Sequence, residues 1–200
     1  MKSLGSKDRE ILRGADSIIG VDEVGRGALA GPVVVCAASF AVIPDDPGVR
    51  DSKLLTENRR DEAASRLRAS GARWVLCEVW VELIDKVNIL EATRLAMRAT
   101  AGALVTPEAV VVTDHVDPGD LGCHVLSPKQ ADREYFSVAA ASILAKVHRD
   151  RIMVELGAEQ PHWGWERNKG YGTIAHRLEL ENRGRGTLHR RSFRWSPVLP

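Results

Sequence analysis

The sequence predicts an α/β domain in which a mixed β-sheet is flanked by helices. The chain has 200 residues, enough for one such domain to bury a core without disulfides. Its hydrophobic content of 44% and charged content of 28% are ordinary for a soluble globular protein. Short apolar runs alternate with longer segments of helical periodicity, and this order favours a mixed sheet with helices packed against it.

The predicted strands are short runs of apolar residues. Residues 17–24 form the first and end in an acidic pair; residues 33–42 form the second, which is β-branched and ends at the turn-like sequence PDDPG. Residues 74–81 alternate well enough to be a third strand. Residues 110–113 are a short continuous apolar run, as expected for a buried strand.

Helices are predicted at residues 59–69, 89–104, 137–156 and near 173–181. The clearest of them is 137–156. Its first half, SVAAASILAK, carries small and apolar residues on nearly every face, so we expect it to be buried and closely packed. Its second half, VHRDRIMVEL, is amphipathic and is expected to reach the surface.

The cysteines and the N-terminus narrow the class of protein. Three cysteines, far apart and without CxxC spacing, indicate reduced thiols and make a zinc site improbable. The polar N-terminus lacks the apolar core of a signal peptide, and no apolar stretch approaches the length needed to cross a membrane. We therefore expect a cytoplasmic protein.

Charge is distributed unevenly along the chain. Residues 167–200 contain eight Lys or Arg and two acidic residues, whereas residues 1–166 contain 20 basic and 25 acidic residues. A basic end on a mildly acidic body suggests an anionic partner, although a solvated surface end is the commoner meaning of such a composition. Arg190, Arg191 and Arg194 are candidates for phosphate contacts. Trp163, Trp165 and Trp195 either stack on bases or pack the small C-terminal region together.

Four carboxylates stand where a sheet would bring acidic groups together. Asp22, Glu23 and Asp114 end two apolar runs, and Asp132 stands five residues before the buried helix. Individually, such residues are usually turn formers or helix-start charges. As a set they predict metal-dependent phosphodiester hydrolysis, in which hard cations, two of them about 4 Å apart in many nucleases, need several oxygen ligands. Asp117 competes with Asp114, which is preferred because it directly ends its strand.

Asp22 and Glu23 are neighbours, and neighbouring residues of a regular strand point to opposite faces. Both can serve one site only if the strand is bulged or ends there, or if a backbone carbonyl contributes instead of a side chain. Residues 24–27, VGRG, make such an irregularity plausible. The glycines on each side of Arg26 would also let backbone N–H groups approach a sugar or phosphate.

Several motifs resemble those of one known family. Residues 20–34, GVDEVGRGALAGPVV, closely resemble the opening motif of the type 2 ribonuclease H (ribonuclease HII) family. The other matches follow in order: DSKLLTENRR at 51–60, VNILEATRLAMR at 87–98, ADREYFSVAAASILAKVHRDR at 131–151, GYGT at 170–173 and LHRRSF at 188–193. Together they span roughly residues 18–195.

The resemblance implies a ribonuclease H-like mixed sheet in residues 1–157 and a small helical, basic, substrate-binding extension in residues 158–200. It implies dependence on Mg2+ or Mn2+, with two ions during catalysis and Asp22, Glu23, Asp114 and Asp132 as metal-binding catalytic residues. The substrates implied are RNA/DNA hybrids and duplex DNA with embedded single ribonucleotides, cut on the 5′ side of the ribonucleotide to leave 3′-hydroxyl and 5′-phosphate ends. A monomer is the default expectation.

The resemblance also assigns substrate-binding residues. Gly25, Arg26 and Gly27 match the motif that reads the ribose 2′-hydroxyl, the group that distinguishes RNA from DNA. Tyr171 matches a tyrosine that packs on the sugar after the ribonucleotide and helps to recognise an RNA-to-DNA junction. Lys53 matches a lysine near the substrate backbone.

Two other functions remain open from the residues alone. One is a structure-specific DNA nuclease of the same fold, which would cut without needing a ribose. The other is a non-catalytic module that binds duplexes and uses its carboxylates to hold a structural cation. Four carboxylates would repel nucleic acid unless cations neutralised them, which disfavours the module.

Overall fold

A computed structural model describes residues 4–46, 48, 49 and 52–198, with only the backbone of Lys53. It confirms the predicted mixed sheet, which has five strands in the order β3-β2-β1-β4-β5. Strands β1 to β3 are antiparallel neighbours, whereas β4 and β5 run parallel to β1. The strands are β1 (Ile18–Val24), β2 (Val33–Phe40), β3 (Arg73–Val79), β4 (Val110–Thr113) and β5 (His124–Leu126).

Seven α-helices surround this sheet in the described part of the chain. They are α1 (Ser6–Ile11), α2 (Glu57–Ala69), α3 (Val81–Val87), α4 (Ile89–Gly102), α5 (Phe136–Glu159), α6 (Trp165–Asn168) and α7 (Ile174–Arg183). Short 3-10 turns lie at Ser52–Leu54, Ala131–Arg133 and Pro161–Trp163. All four predicted helices are present, and the longest extends three residues beyond its predicted end.

Two predicted strands, 33–42 and 74–81, end two residues beyond the observed ends of β2 and β3. Residues 80 and 81 do not belong to β3; Trp80 is the extended residue that precedes α3, and Val81 begins that helix. Both Val79 and Val81 are buried, so the alternating pattern continues across the boundary although the backbone changes. Helix α3 was therefore missed by the sequence prediction.

The sheet is covered on both faces, so its central strands carry apolar residues at nearly every position. On one face Ile18, Val34 and Cys36 pack with α5. On the other, residues such as Ile19 and Val33 pack with α4. Strand β1 is thereby packed between α5 and α4, which gives a rigid base to the residues at its end.

The second half of α5 reaches the surface only in part. Arg149 and Met153 are fully buried because the C-terminal residues cover that side of the helix. Met153 forms a third apolar cluster with Leu29, Trp163, Trp165 and other residues. The division predicted after residue 157 falls inside the last turn of α5, so this helix is shared by the sheet and the C-terminal region.

The start of α5 is capped from a distant part of the chain. Asp8 in α1 is completely buried, and its carboxylate accepts hydrogen bonds from the backbone N–H groups of Phe136 (2.8 Å) and Ser137 (3.0 Å). These N–H groups have no partner within the helix. The Asp8 carboxylate therefore joins the N-terminal helix to the helix that covers β1.

We expect Asp8→Ala to lower the free energy of unfolding by about 2 kcal/mol, since it removes a helix cap and leaves buried donors unpaired. Urea denaturation followed by circular dichroism measures this loss. Glu10→Ala, an exposed change in the same helix, is the control. Equal stability of the two variants would show that the cap contributes nothing.

No helix in residues 4–46, 48, 49 and 52–198 is long and apolar enough to cross a membrane. The three cysteines are free thiols, and Cys36 lies in the core.

Candidate active site

Asp22 and Asp114 stand side by side where β4 ends. The parallel pairing of β1 with β4 stops at Val21 and Thr113, so these two aspartates occupy the next position on adjacent strands. Strand β1 continues to Val24 with β2 as its partner. An open edge of β1 therefore begins at Asp22, and it is bordered by the chain leaving β4.

Asp22 and Glu23 lie in a regular part of the strand. Pairing of β1 with β2 runs without interruption from Ile18–Phe40 to Val24–Val34, so of the alternatives considered from the sequence, a bulge is absent here. The Asp22 side chain lies on the α5 face, where it interacts with Ser142, and Glu23 belongs to the opposite face. Because β4 ends one position earlier, both carboxylates still border the same open edge.

The pKa values of Asp22 and Glu23 are both shifted by neighbouring acidic groups. Burial raises the pKa of Asp22 well above its usual range, Glu23 and Asp114 raise it further, and the Ser142 hydroxyl and the Glu23 N–H act against them. Burial also raises the pKa of Glu23, opposed chiefly by Arg26, whose Nη1 donates to Glu23 Oε1 at 3.0 Å, and reinforced by Asp114. Neighbouring acidic groups thus disfavour the charged forms of Asp22 and Glu23.

The backbone beside Asp132 is bound to Asp114. The backbone N–H of Ala131 donates to Asp114 Oδ1 at 3.1 Å, and Asp132 follows it as a buried residue of the short 3-10 turn. His115 and Gln130, on either side of this contact, adopt the left-handed conformation with φ of 63° and 58°. Such strained non-glycine residues are often found at functional sites.

Asp117 is not a member of this group. Its side chain is exposed, and its Oδ1 accepts the N–H of Gly119 at 2.8 Å, as a turn-forming aspartate does. The choice of Asp114 over Asp117 therefore agrees with where the two side chains lie.

The acidic group suits a divalent cation chemically. Glu23 Oε2 is buried and has no hydrogen-bond partner in the described part of the chain, which is costly for a carboxylate oxygen unless a cation satisfies it. Hard cations prefer such oxygen ligands. Among the described residues, no three acidic, histidine or cysteine side chains are already gathered as a metal cage.

A hydroxyl pair lies behind Asp22. Ser142 Oγ is 2.9 Å from Ser52 Oγ, which belongs to the DSK segment. This contact joins α5, Asp22 and the residue before Lys53. The Lys53 side chain lies outside the described residues, so its predicted role stays a prediction.

The GRG loop (residues 25–27) follows the carboxylates directly. Gly25 has φ of 94°, and a Cβ there would lie 2.1 Å from Arg149 Nε, so only glycine fits. Gly27 is exposed, and a Cβ there would meet nothing within 4 Å. The loop thus packs against the interior at Gly25 and is open to a ligand at Gly27.

The tyrosine loop (residues 169–172) is hydrogen-bonded to the chain that follows the GRG loop. The carbonyl of Gly170 accepts the N–H groups of Leu29 (2.8 Å) and Ala30 (3.2 Å). The half-buried Tyr171 ring lies 5.4 Å from the Arg149 guanidinium carbon. The structure therefore brings together Tyr171 and residues 25–27, which are distant in sequence.

The C-terminal segment contributes in a way that the sequence did not indicate. Arg190 is buried and donates to backbone carbonyls, so it is not the phosphate-binding surface residue that we expected. Arg191 and Arg194 are exposed. Trp163 and Trp165 are buried against His176, which agrees with packing rather than base stacking.

Two buried histidines connect this segment to the tyrosine loop. Gly186 N–H donates to His189 Nδ1 at 3.0 Å, so the other nitrogen of His189 carries the proton that it shares with His176 Nε2, also at 3.0 Å. His176 Nδ1 then donates to the Tyr171 carbonyl at 2.9 Å. Both rings are neutral in this arrangement. Spacing in the sequence gave no sign of it.

Lowering the pH should lower the free energy of unfolding through the buried histidine pair. Burial, assisted by His176, lowers the pKa of His189 from 6.5 to about 4. Between these values the unfolded chain binds a proton that the folded protein does not, so the free energy of unfolding falls as pH drops below 6.5. We expect urea midpoints to decline from pH 6.5 to 5, and His189→Gln to flatten the decline. The exposed change His124→Gln is the control; an unchanged slope in His189→Gln would contradict the assignment.

Comparison with known proteins agrees with this geometry. Residues 19–195 match the family model described as Ribonuclease HII. The chain is 44% identical over 188 residues to ribonuclease HII of Dechloromonas aromatica, covering 92% of this chain and 94% of the relative. It is 47% identical over 190 residues to that of Paracoccus denitrificans, covering 94% and 89%.

Among solved structures, the PCNA:RNase HII complex from Archaeoglobus fulgidus contains a chain that is 26% identical, with a TM-score of 0.73 and coverage of 87% of this chain and 92% of that one. Bst-RNase HIII in complex with Mn2+ shares the fold at 23% identity and a TM-score of 0.63, covering 87% of this chain and 65% of that one. The chain therefore belongs to the ribonuclease HII family and is an endoribonuclease of the ribonuclease H type.

Proposed function

We propose that this ribonuclease hydrolyses the phosphodiester on the 5′ side of ribonucleotides, both in RNA/DNA hybrids and at single ribonucleotides embedded in duplex DNA. The products would carry 3′-hydroxyl and 5′-phosphate ends. One observation carries the proposal: buried, mutually repelling carboxylates at the open edge of β1 are followed within a few residues by a glycine loop whose Gly27 is exposed. Cutting and choice of sugar would then occur within a few residues of each other.

Asp22, Glu23, Asp114 and Asp132 would hold Mg2+ or Mn2+, two ions during catalysis. The buried Glu23 Oε2 and the raised pKa values of Asp22 and Glu23 support this assignment, since a cation would stabilise their charged forms. Bound divalent ions supply charge neutralisation at the scissile phosphate and activation of water. The chain's own part would be to hold Asp22 and Glu23 on the rigid strand β1, with Asp114 directly after β4. Asp132 would orient or deprotonate the attacking water.

Gly25, Arg26 and Gly27 would read the ribose 2′-hydroxyl. Gly27 is the exposed member and leaves room for a sugar to approach the backbone. Arg26 is bound to Glu23 Oε1, so the loop and the acidic group are joined. Tyr171 would pack on the following sugar, and Lys53 would contact the substrate backbone. The ribose 2′-hydroxyl would determine which phosphodiester bond is cut, and a water molecule would be the nucleophile.

Residues 158–200 would form a substrate-binding extension. The exposed Arg185, Arg191 and Arg194 would contact phosphates, each adding salt-sensitive affinity without reading sequence. We propose that the protein acts as a monomer. The free thiols Cys36, Cys77 and Cys123 support a reducing compartment, and we propose the cytoplasm.

One assay separates this function from its alternatives. A DNA duplex with one embedded ribonucleotide is incubated with Mg2+ or Mn2+ beside an all-DNA duplex of the same sequence. We expect metal-dependent cutting of the first duplex alone. Equal cutting of both would support a structure-specific DNA nuclease, and metal-dependent binding without cutting would support a non-catalytic module.

We expect Tyr171→Ala to reduce kcat/KM about tenfold on the single-ribonucleotide duplex and much less on a uniform RNA/DNA hybrid, because only the former presents an RNA-to-DNA junction. A lost base- or sugar-stacking contact has roughly this effect. Tyr171→Phe keeps the ring and should retain activity on both substrates. Equal losses on both substrates in Tyr171→Ala would remove the junction-sensing role.

A further inference from the structure

Two arginines are buried beneath the GRG loop, Arg149 from α5 and Arg190 from the C-terminal segment. Neither is part of the acidic group. Arg149 donates Nε to the carbonyl of Pro32 (2.9 Å), Nη2 to that of Ala30 (3.2 Å) and Nη1 to that of Lys169 (2.8 Å). One guanidinium therefore binds the segment after the GRG loop and the tyrosine loop at the same time.

Arg190 binds the GRG loop itself. Its Nη1 donates to the carbonyl of Arg26 at 2.8 Å, and its Nε and Nη2 donate to that of Gly31 at 3.2 and 3.0 Å. A trans peptide directs its C=O and the next N–H to opposite sides. Because the Arg26 carbonyl is turned inward to Arg190, the N–H of Gly27 is turned away from the interior, towards the open side of the loop.

Close packing adds to these bonds. Gly25 lies so near Arg149 that no side chain fits between them. On the other loop, Lys169 adopts the left-handed conformation with φ of 49°, and its carbonyl is the one that Arg149 binds. The Tyr171 ring lies near the same guanidinium. Both loops are thus shaped around one pair of charged side chains.

Burying two guanidinium groups costs desolvation free energy. Burial lowers the pKa of Arg190 to about 9, with help from the like charge of Arg149, and burial lowers the pKa of Arg149 as well. All six of the hydrogen bonds described for the two side chains go to backbone carbonyls. A buried charge is costly unless hydrogen bonds compensate for the lost solvent. Here each of those bonds goes to a carbonyl in or beside the two loops, which points to a role in holding the geometry of the loops.

We propose that Arg149 and Arg190 are positioning residues that hold the GRG loop and the tyrosine loop in one fixed relation and thereby set the preference for a ribose. They act through the loop backbones and do not touch the substrate. This inference rests on the proposed function, in which those two loops read the sugar. Discrimination between ribose and deoxyribose would then depend on the two buried guanidinium groups as well as on the loops.

The test compares two duplexes on the same active enzyme with Mg2+. KM is measured for the duplex with one embedded ribonucleotide, and Ki for the all-DNA duplex as a competitive inhibitor. The ratio of Ki to KM is the preference. The variants are Arg149→Lys and Arg190→Lys, which keep the charge but lose the planar fork. Arg151→Lys, an exposed change on the same helix, is the matched control.

We expect each lysine variant to lower the preference about tenfold, as the loss of a charge-assisted hydrogen bond would, and the control to leave it unchanged. The ratio does not depend on the fraction of protein that is folded, so partial unfolding cannot imitate the effect. Equal weakening of both duplexes, or an intact preference in both variants, would overturn the inference alone. An unmodified enzyme without any preference would overturn the proposed function, and the inference with it.

Discussion

Asp114→Asn should lower the rate of cleavage at an embedded ribonucleotide by at least about a thousandfold and leave the fold intact. Asparagine has nearly the same shape, and its Oδ1 can still accept the Ala131 N–H that Asp114 accepts at 3.1 Å. What disappears is a negative charge at the open edge of β1. Stabilisation of a metal-assisted transition state amounts to several kcal/mol, so the expected loss is of this size.

The control is Asp117→Asn. Asp117 is three residues away, exposed, and engaged in a turn that asparagine can preserve. Single-turnover cleavage with Mg2+ measures both variants, and thermal unfolding verifies that each is folded. Asp22→Asn should behave like Asp114→Asn. Full activity in either would remove that residue from the site, and a large loss in Asp117→Asn would mean that the third acidic residue had been misidentified.

Gly20→Ala should destabilise the protein by at least about 3 kcal/mol, the upper end of what overpacking usually costs. A Cβ at Gly20 would lie 2.0 Å from the backbone carbon of Ser137 and 2.3 Å from the backbone nitrogen of Val138. Backbone atoms at the start of a buried helix cannot turn aside as a side chain can. Strand β1 and α5 would have to separate, and Asp22 would move with the strand.

Chemical denaturation measures this change, and Gly102→Ala is its control. Gly102 ends α4, and a Cβ there would meet nothing within 4 Å. Alanine is favoured over glycine in a helix by about 1 kcal/mol, so the control should be neutral or slightly more stable. If Gly20→Ala were equally well tolerated, the close approach of α5 to β1 would be wrong.

Much of this fold could be predicted from local pattern. Strand β4 has its predicted bounds because a run of β-branched residues at 110–113 begins shortly after Pro107 and ends at Asp114. Helix α5 could be recognised because SVAAASILAK leaves no polar face. Helix α3 could not, since Val81 continues the alternation of β3 and the backbone changes direction without any glycine or proline.

Some residues of the site could likewise be predicted from the sequence, and others could not. Asp22 and Asp114 could be named because each ends an apolar run, and the register of β1 with β4 places them side by side. Arg149 and Arg190 look like surface residues in the sequence, because their burial depends on the C-terminal segment folding back over α5. Contacts between residues so far apart leave no local pattern, and the same is true of the His176–His189 pair.

The most direct test varies the position of the ribonucleotide within the substrate duplex. A series of otherwise identical DNA duplexes carries one ribonucleotide at successive positions, and the product ends are mapped after incubation with Mg2+ or Mn2+. We expect the cut to follow the ribonucleotide in each duplex, always on its 5′ side, leaving 3′-hydroxyl and 5′-phosphate ends. A cut that stays at one place while the ribonucleotide moves would contradict selection of the bond by the 2′-hydroxyl.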